Sequence, residues 1–168
     1  MGIYDDIKAM TGRESKPHFG ADRVNPAMIR HWCEAMEDGN PLYTDEAFAG
    51  KSKYGAIVAP PQMVMTYTMP PLWPKAEREL DPFARAIAML QEEGYFGIIA
   101  TTTSYEFFKP LELNNRISQK IKLSAVSPEK KTRIGTGHFL TAEQTYANEA
   151  GDVICVQMFT VLVFKPGA

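Results

Sequence analysis

The feature that most limits what this chain can become is a change of apolar period near its middle. Beyond residue 95 the period is two. Ile117, Gln119, Ile121, Leu123 and Ala125 alternate with Ser118, Lys120, Lys122 and Ser124, as in a strand with one buried and one wet face. Residues 134–147 alternate less cleanly, residues 148–152 are a run of turn formers, and residues 153–164 are rich in β-branched side chains and phenylalanine. With residues 96–109 as an earlier strand, the second half reads as long antiparallel strands.

The first half has a helical rhythm. Asn25 before Pro26 is a helix start, because the asparagine side chain accepts from freed amides and proline loses nothing at the first helical position. Ile29, Trp32, Cys33 and Met36 then form one stripe, which Gly39 is expected to end. Thr44, Asp45 and Glu46 read as the capped first turn of a short helix closed by Gly50. A third helical segment is expected from Pro60 and Pro61, carrying Met63, Val64 and Tyr67 until Pro70, Pro71 and Pro74 break it. Asp81 and Pro82 start a fourth, with Phe83, Ile87 and Leu90 on one face up to Gly94. Helices first and strands afterwards predict an α+β class. An N-terminal strand is expected near residues 19–24.

Composition narrows the function. The chain has 168 residues, 23% charged and 45% hydrophobic, which is ordinary globular usage. That length suits one domain, residues 1–168, burying roughly 70% of its unfolded surface. The net charge is −2, and the densest basic group, Lys130, Lys131 and Arg133, falls beside an expected turn. No nucleic-acid footprint results. Cys33 and Cys155 sit in apolar patterns without metal spacing and read as small buried hydrophobes. His18, His31 and His138 also lack metal-like spacing; His138 falls in an expected strand. The start, MGIYDDIKAM, does not read as a signal peptide. The longest apolar stretch, residues 153–164, is interrupted by Gln157 and Thr160 and falls short of the about 20 residues of a spanning helix. A soluble, cytoplasmic protein without membrane contact is expected.

The segment WCEAMEDGNPLYTDEAFAGKSKYGAIVAPP resembles the MaoC-like hydratase motif, in which DxNPxH is followed by a short helix and a Gly-rich approach to a central helix. APP after that approach, together with the tail GTGHFLTAEQTYANEAGDVICVQMFTVLVFKP, is most similar to the dehydratase amino-terminal type. Such subunits are the non-catalytic halves of mycobacterial hydroxyacyl-thioester dehydratases and steroid side-chain enoyl-CoA hydratases. The resemblance implies a hotdog fold: a long antiparallel sheet laid around a central helix, with extra helices in the first half.

It also implies chemistry. In the family, the aspartate and histidine of DxNPxH activate water and return a proton to a 2-enoyl thioester. A glycine N–H at the central helix stabilises the developing enolate. On this chain Asp38 keeps the acid position, and Asn40 with Pro41 keeps the turn. Tyr43 stands where the histidine should be, and a phenol with an ordinary pKa of about 10 is a poor base at neutral pH. The donor glycine falls on Pro61, which has no N–H. Asp38 and Tyr43 are thus a degenerate catalytic pair, and Asn40, Pro61, Gln62 and Met63 are the expected substrate-binding positions. Gln62 keeps an amide N–H and is a candidate substitute donor. Met65, Met69, Trp73 and Met89 join Met63 as candidate lining of an acyl channel, core packing being the alternative.

The implied ligand is an acyl-CoA or acyl carrier protein thioester, as substrate, with no cofactor and no metal. Three readings follow. In the first, the chain is the acyl-binding subunit of an (R)-type 2-enoyl-CoA hydratase, beside a MaoC-like partner with an intact DxNPxH. In the second, a homodimer uses Asp38 and Tyr43 itself as an enoyl-CoA hydratase or 3-hydroxyacyl-thioester dehydratase. In the third, it is a non-catalytic acyl-thioester binding module.

Overall fold

The structure, a computed structural model, describes residues 2–73 and 79–167. Pro74, one of the expected helix breakers, lies outside them. The chain opens with helix α1 (Ile3–Lys8), strand β1 (His18–Arg23) and helix α2 (Pro26–Met36). Short helices α3 (Pro41–Thr44) and α4 (Glu46–Gly50) precede strand β2 (Val58–Ala59). Two 3-10 turns, Pro61–Val64 and Thr66–Thr68, and helix α5 (Pro82–Glu92) complete the first half. Then come β3 (Gly97–Phe107), β4 (Leu111–Glu112), β5 (Arg116–Val126), β6 (Lys130–Thr132), β7 (Gly135–Ala147) and β8 (Val153–Pro166).

Local chemistry accounts for the helix starts. Asn25 accepts from the Met28 amide ahead of Pro26, and Asp81 accepts from the amides of Phe83 and Ala84 ahead of Pro82. The cap of α4 is Asp45, not Thr44: its carboxylate takes the Phe48 amide at 2.9 Å. Helix α2 ends earlier than expected. Glu37, not Gly39, takes the left-handed conformation (φ 53°) and closes the last turn on the Cys33 carbonyl. Of the α2 stripe, Ile29 and Cys33 are buried, whereas Met36 is 61% exposed. Helix α1 was not anticipated, since Ile7 is its one buried residue and leaves no periodic stripe to read.

The strands pair antiparallel in the order β1-β5-β7-β8-β3, with β6 folded back on β7 and a separate pair β2-β4. Along β7, Leu140, Ala142, Gln144 and Tyr146 face one side; opposite them on β8 lie Val161, Phe159, Gln157 and Cys155. This is the face the helices cover. Two cores form on it, each side chain contributing roughly 1.5–3 kcal/mol on full burial. One joins Ile29, Met63, Val64, Tyr67, Ile117 and Tyr146 beneath α2 and the 3-10 turns. The other joins Phe83, Ala86 and Leu90 of α5 and Ile7 of α1 to Leu123, Leu140, Val161 and Val163.

The segment expected to be a third helix is two 3-10 turns, and Met69 already returns to extended backbone ahead of Pro70 and Pro71. Prolines at both ends leave too few free amides for a longer ladder. The second of these turns packs on β1 and β5, and the first packs on the second. Among the described residues β3 pairs with β8 alone, and it is exposed along most of its length. His138, buried at 2% exposure, is packed between Tyr4 and Tyr95 and bonded to the Ser127 carbonyl at 3.0 Å. Among the described residues no helix is long and apolar enough to cross a membrane, and no group of His, Cys, Asp and Glu is arranged to hold a metal.

Candidate active site

The residues after α2 are held by their own side chains. Because Glu37 turns left-handed, the Asp38 amide also reaches back to the Cys33 carbonyl, at 2.9 Å. Asp38 Oδ1 then accepts from the Asn40 amide at 3.1 Å, and Asn40 Oδ1 accepts from the Leu42 amide at 3.1 Å. Asn40 is therefore the N-cap of α3, with Pro41 at its first position. That turn brings Tyr43 back beside Asp38.

Tyr43 is half-buried against the core that holds Ala59 and Met63. Its burial is the main reason its phenol pKa is raised, and the Asp38 carboxylate adds to the effect; the Asn40 side chain pulls the other way. A phenol held above its ordinary value of about 10 keeps its proton at neutral pH. It can donate a hydrogen bond but not accept a proton from water. Cys33, beneath the same carboxylate, is likewise pushed up, first by burial and then by Asp38 and Glu34. A thiol in that state is inert packing. The reading of Cys33 and Cys155 as buried free cysteines agrees with their placement.

The second half of the candidate site adjoins the first. α3 packs against β2, whose end, Ala59, lies two residues before Pro61. Pro61 opens the first 3-10 turn and offers no N–H. Gln62 follows it, exposed, at a first-turn position whose N–H has no intrahelical acceptor. Met63 turns inward and is 1% exposed, a core residue of this chain. Met65, Met69 and Trp73 are exposed at 43%, 57% and 86%, and Met89 is half-buried on α5. The structure thus brings Asp38, Asn40 and Tyr43 together, sets Pro61 and Gln62 on the neighbouring element, and does not gather the methionines and Trp73 into a channel. A cavity of about 670 Å³ lies elsewhere, between the α1–β1 connection and the start of α5; Arg13, Lys16, Arg85, Gln119 and Ile121 are among its lining, and none of the expected site residues is.

One constellation escaped sequence reading. On the covered face, between the two cores, a row of polar side chains crosses four strands: Gln119 on β5, Gln144 and Tyr146 on β7, Gln157 on β8, and Thr103 with Tyr105 on β3. The signal was present in part, since Gln119 and Gln157 occupy inward positions of otherwise apolar strands. Their meeting depends on strand order, which periodicity does not supply.

The family model described as the FAS1-like dehydratase domain region matches residues 9–157. A probable enoyl-CoA hydratase alpha subunit of Thermomonospora curvata is 37% identical over 163 residues, covering 95% of this chain and 51% of that protein. A 3-oxo-4,17-pregnadiene-20-carboxyl-CoA hydratase alpha subunit of Mycobacterium tuberculosis is 33% identical over 153 residues, covering 90% of this chain and 48% of that one. The chain spans about half the length of these curated relatives. Among solved structures, the ChsH1-ChsH2 complex from Mycobacterium tuberculosis contains a chain that matches with a TM-score of 0.89 at 31% identity, covering 99% of this chain and 91% of that one.

Proposed function

The chain belongs to the FAS1-like dehydratase family, with the MaoC-like hotdog fold, and from that premise we propose that it is the acyl-thioester-binding subunit of an (R)-type 2-enoyl-CoA hydratase, completed by a partner that carries an intact DxNPxH. One curated relative is named a probable enoyl-CoA hydratase alpha subunit and another a 3-oxo-4,17-pregnadiene-20-carboxyl-CoA hydratase alpha subunit. The observation that carries the division of labour is the pairing of Tyr43 with Pro61 on adjacent elements. Water activation needs a base that is free of its proton near neutral pH, and Tyr43 is held the other way. Enolate stabilisation needs an N–H donor where Pro61 has none. Each loss is worth on the order of 100-fold to 1000-fold or more in rate.

The open edge of β3 supports a partner. It is eleven residues long and is paired on one side only among the described residues, and Ile98 and Ile99 are each 47% exposed along it. Such an edge is a template for another strand unless it is covered. The related ChsH1-ChsH2 structure is a complex of two different proteins. In this reading the partner's sheet continues from β3, the partner supplies the acid and base, and this chain supplies acyl-binding surface. Asp38 and Asn40 act to hold the α2–α3 turn, and Gln62 offers an N–H at the rim.

The test is co-expression with a chain bearing an intact DxNPxH, followed by hydration assays on a 2-enoyl-CoA of each chain alone and of the pair. Full activity of the isolated chain would overturn the division of labour in favour of a self-sufficient homodimer. Ligand affinity without turnover in every pairing would leave a binding module.

A further inference from the structure

The polar row is an unexpected choice for the covered face of a sheet. Gln157 is 3% exposed and Tyr146 is fully buried, and buried amides and phenols lose hydration that apolar side chains never had. The row answers that cost with a chain of hydrogen bonds. Gln119 Nε2 donates to Gln144 Oε1 at 2.6 Å and to the Tyr146 hydroxyl at 3.0 Å. Tyr146 donates to Gln157 Oε1 at 2.9 Å. Gln157 Nε2 then directs its two protons to Thr103 Oγ1 at 3.1 Å and the Tyr105 hydroxyl at 2.9 Å. At that end both hydroxyls accept, and their own protons have no acceptor among the described residues.

Register places both hydroxyls on the covered face. Tyr105 lies opposite Gln157, and Thr103 opposite Phe159, because Thr101 is an extra residue that shifts β3 against β8. Yet among the described residues no helix or 3-10 turn makes its main contacts with β3. The second 3-10 turn lies on β1 and β5, and α5 lies on β5 and β7. Thr103 is exposed and Phe159 half-buried, while Ile98 and Phe107 are 47% and 39% exposed on the same side of β3. The result is an apolar half-cleft with two O–H donors set into it, beside the edge where a partner is expected.

We propose that Thr103 and Tyr105 hydrogen-bond an oxygen atom carried on the acyl group itself, remote from the thioester, and so make this subunit selective for oxygen-bearing acyl chains over plain alkyl ones. The inference rests on the acyl-thioester reading above and narrows it to a substrate class. A plain alkyl chain over the half-cleft would strip water from two donors and give nothing back, whereas a keto or hydroxyl oxygen would accept from them. Sites built to bond a polar group discriminate strongly against analogues without it. Were the row only internal glue, it would end on an acceptor that consumes its last protons.

Isothermal titration of the full chain, alone and co-purified with its DxNPxH-bearing partner, with decanoyl-CoA and with oxodecanoyl-CoA isomers differing in the position of the keto group, tests this. At least one keto isomer is expected to bind about tenfold or more tightly than decanoyl-CoA. The double variant Thr103→Val, Tyr105→Phe should bring that ratio close to one. Thr103→Val alone, at an exposed position and with the Gln157 bond to Tyr105 kept, should lower it part of the way. Equal affinities for all probes, or a ratio untouched by both variants, would overturn the proposal. No binding of any probe would instead overturn the acyl-thioester reading, and this inference with it.

Discussion

Gly20 lies so close to the backbone of Tyr67 that a methyl group on the glycine would sit 1.7 Å from the Tyr67 carbonyl oxygen. The glycine is the buried residue of β1, at the place where β1 slips out of register with β5. There the second 3-10 turn, carrying Tyr67, is pressed onto the sheet. Backbone against backbone leaves no flexible side chain to move aside.

Gly20→Ala should therefore destabilise the fold by at least the about 1–3 kcal/mol of an overpacked core site. It should lower the thermal midpoint by several degrees. Differential scanning calorimetry reads the shift; an unchanged midpoint would mean that the turn is free to lift from β1.

Tyr146→Phe removes the hydroxyl at the centre of the polar row and leaves Gln119 and Gln157 each short of a partner. Stranding buried polar groups costs about 1–3 kcal/mol, so the urea midpoint should fall with the slope unchanged. A neutral effect would show that water enters the row freely.

Alkaline titration should expose the same packing. Tyr67, mainly through burial, and Tyr95, mainly through its hydrogen bond to Glu129, are both raised to about 12. In the unfolded chain these phenols ionise near 10. Between those values the folded state binds more protons than the unfolded state, so stability is complete below pH 10 and declines as pH rises toward 12. Phenolate absorbance followed with pH should show these residues ionising only as the fold is lost. A reversible, fully folded titration near 10 would contradict the burial.

Asp38→Asn in this chain should reduce turnover of the reconstituted assembly by less than about threefold, because Asp38 serves a turn. The matching change in the partner's DxNPxH should cost on the order of 100-fold to 10,000-fold. Initial rates on one 2-enoyl-CoA decide between them. Abolition by Asp38→Asn would restore the self-sufficient pair of Asp38 and Tyr43.

Helix starts at Asn25 and Asp81, the strand at residues 117–125 and the turn at 148–152 were legible because each depends on neighbours within a few residues. The central segment was legible in place but not in kind, since the prolines at 60, 61, 70 and 71 mark its ends without saying that only 3-10 turns fit between. Glu37 as a left-handed terminator was hidden, because Gly39 is the better local candidate and the choice was made by where α2 must release Asp38.

By itself the sequence determined the α+β division through local period and the lack of an N–H at Pro61 through residue identity, while the degenerate character of DGNPLY is what the family resemblance implies. Tertiary structure alone decided the strand order, the raised phenol of Tyr43 beside Asp38, and the meeting of Gln119, Gln144, Gln157 and Tyr105 on one face. Burial and non-local pairing set those, and a period of two is the same whichever strand lies next door.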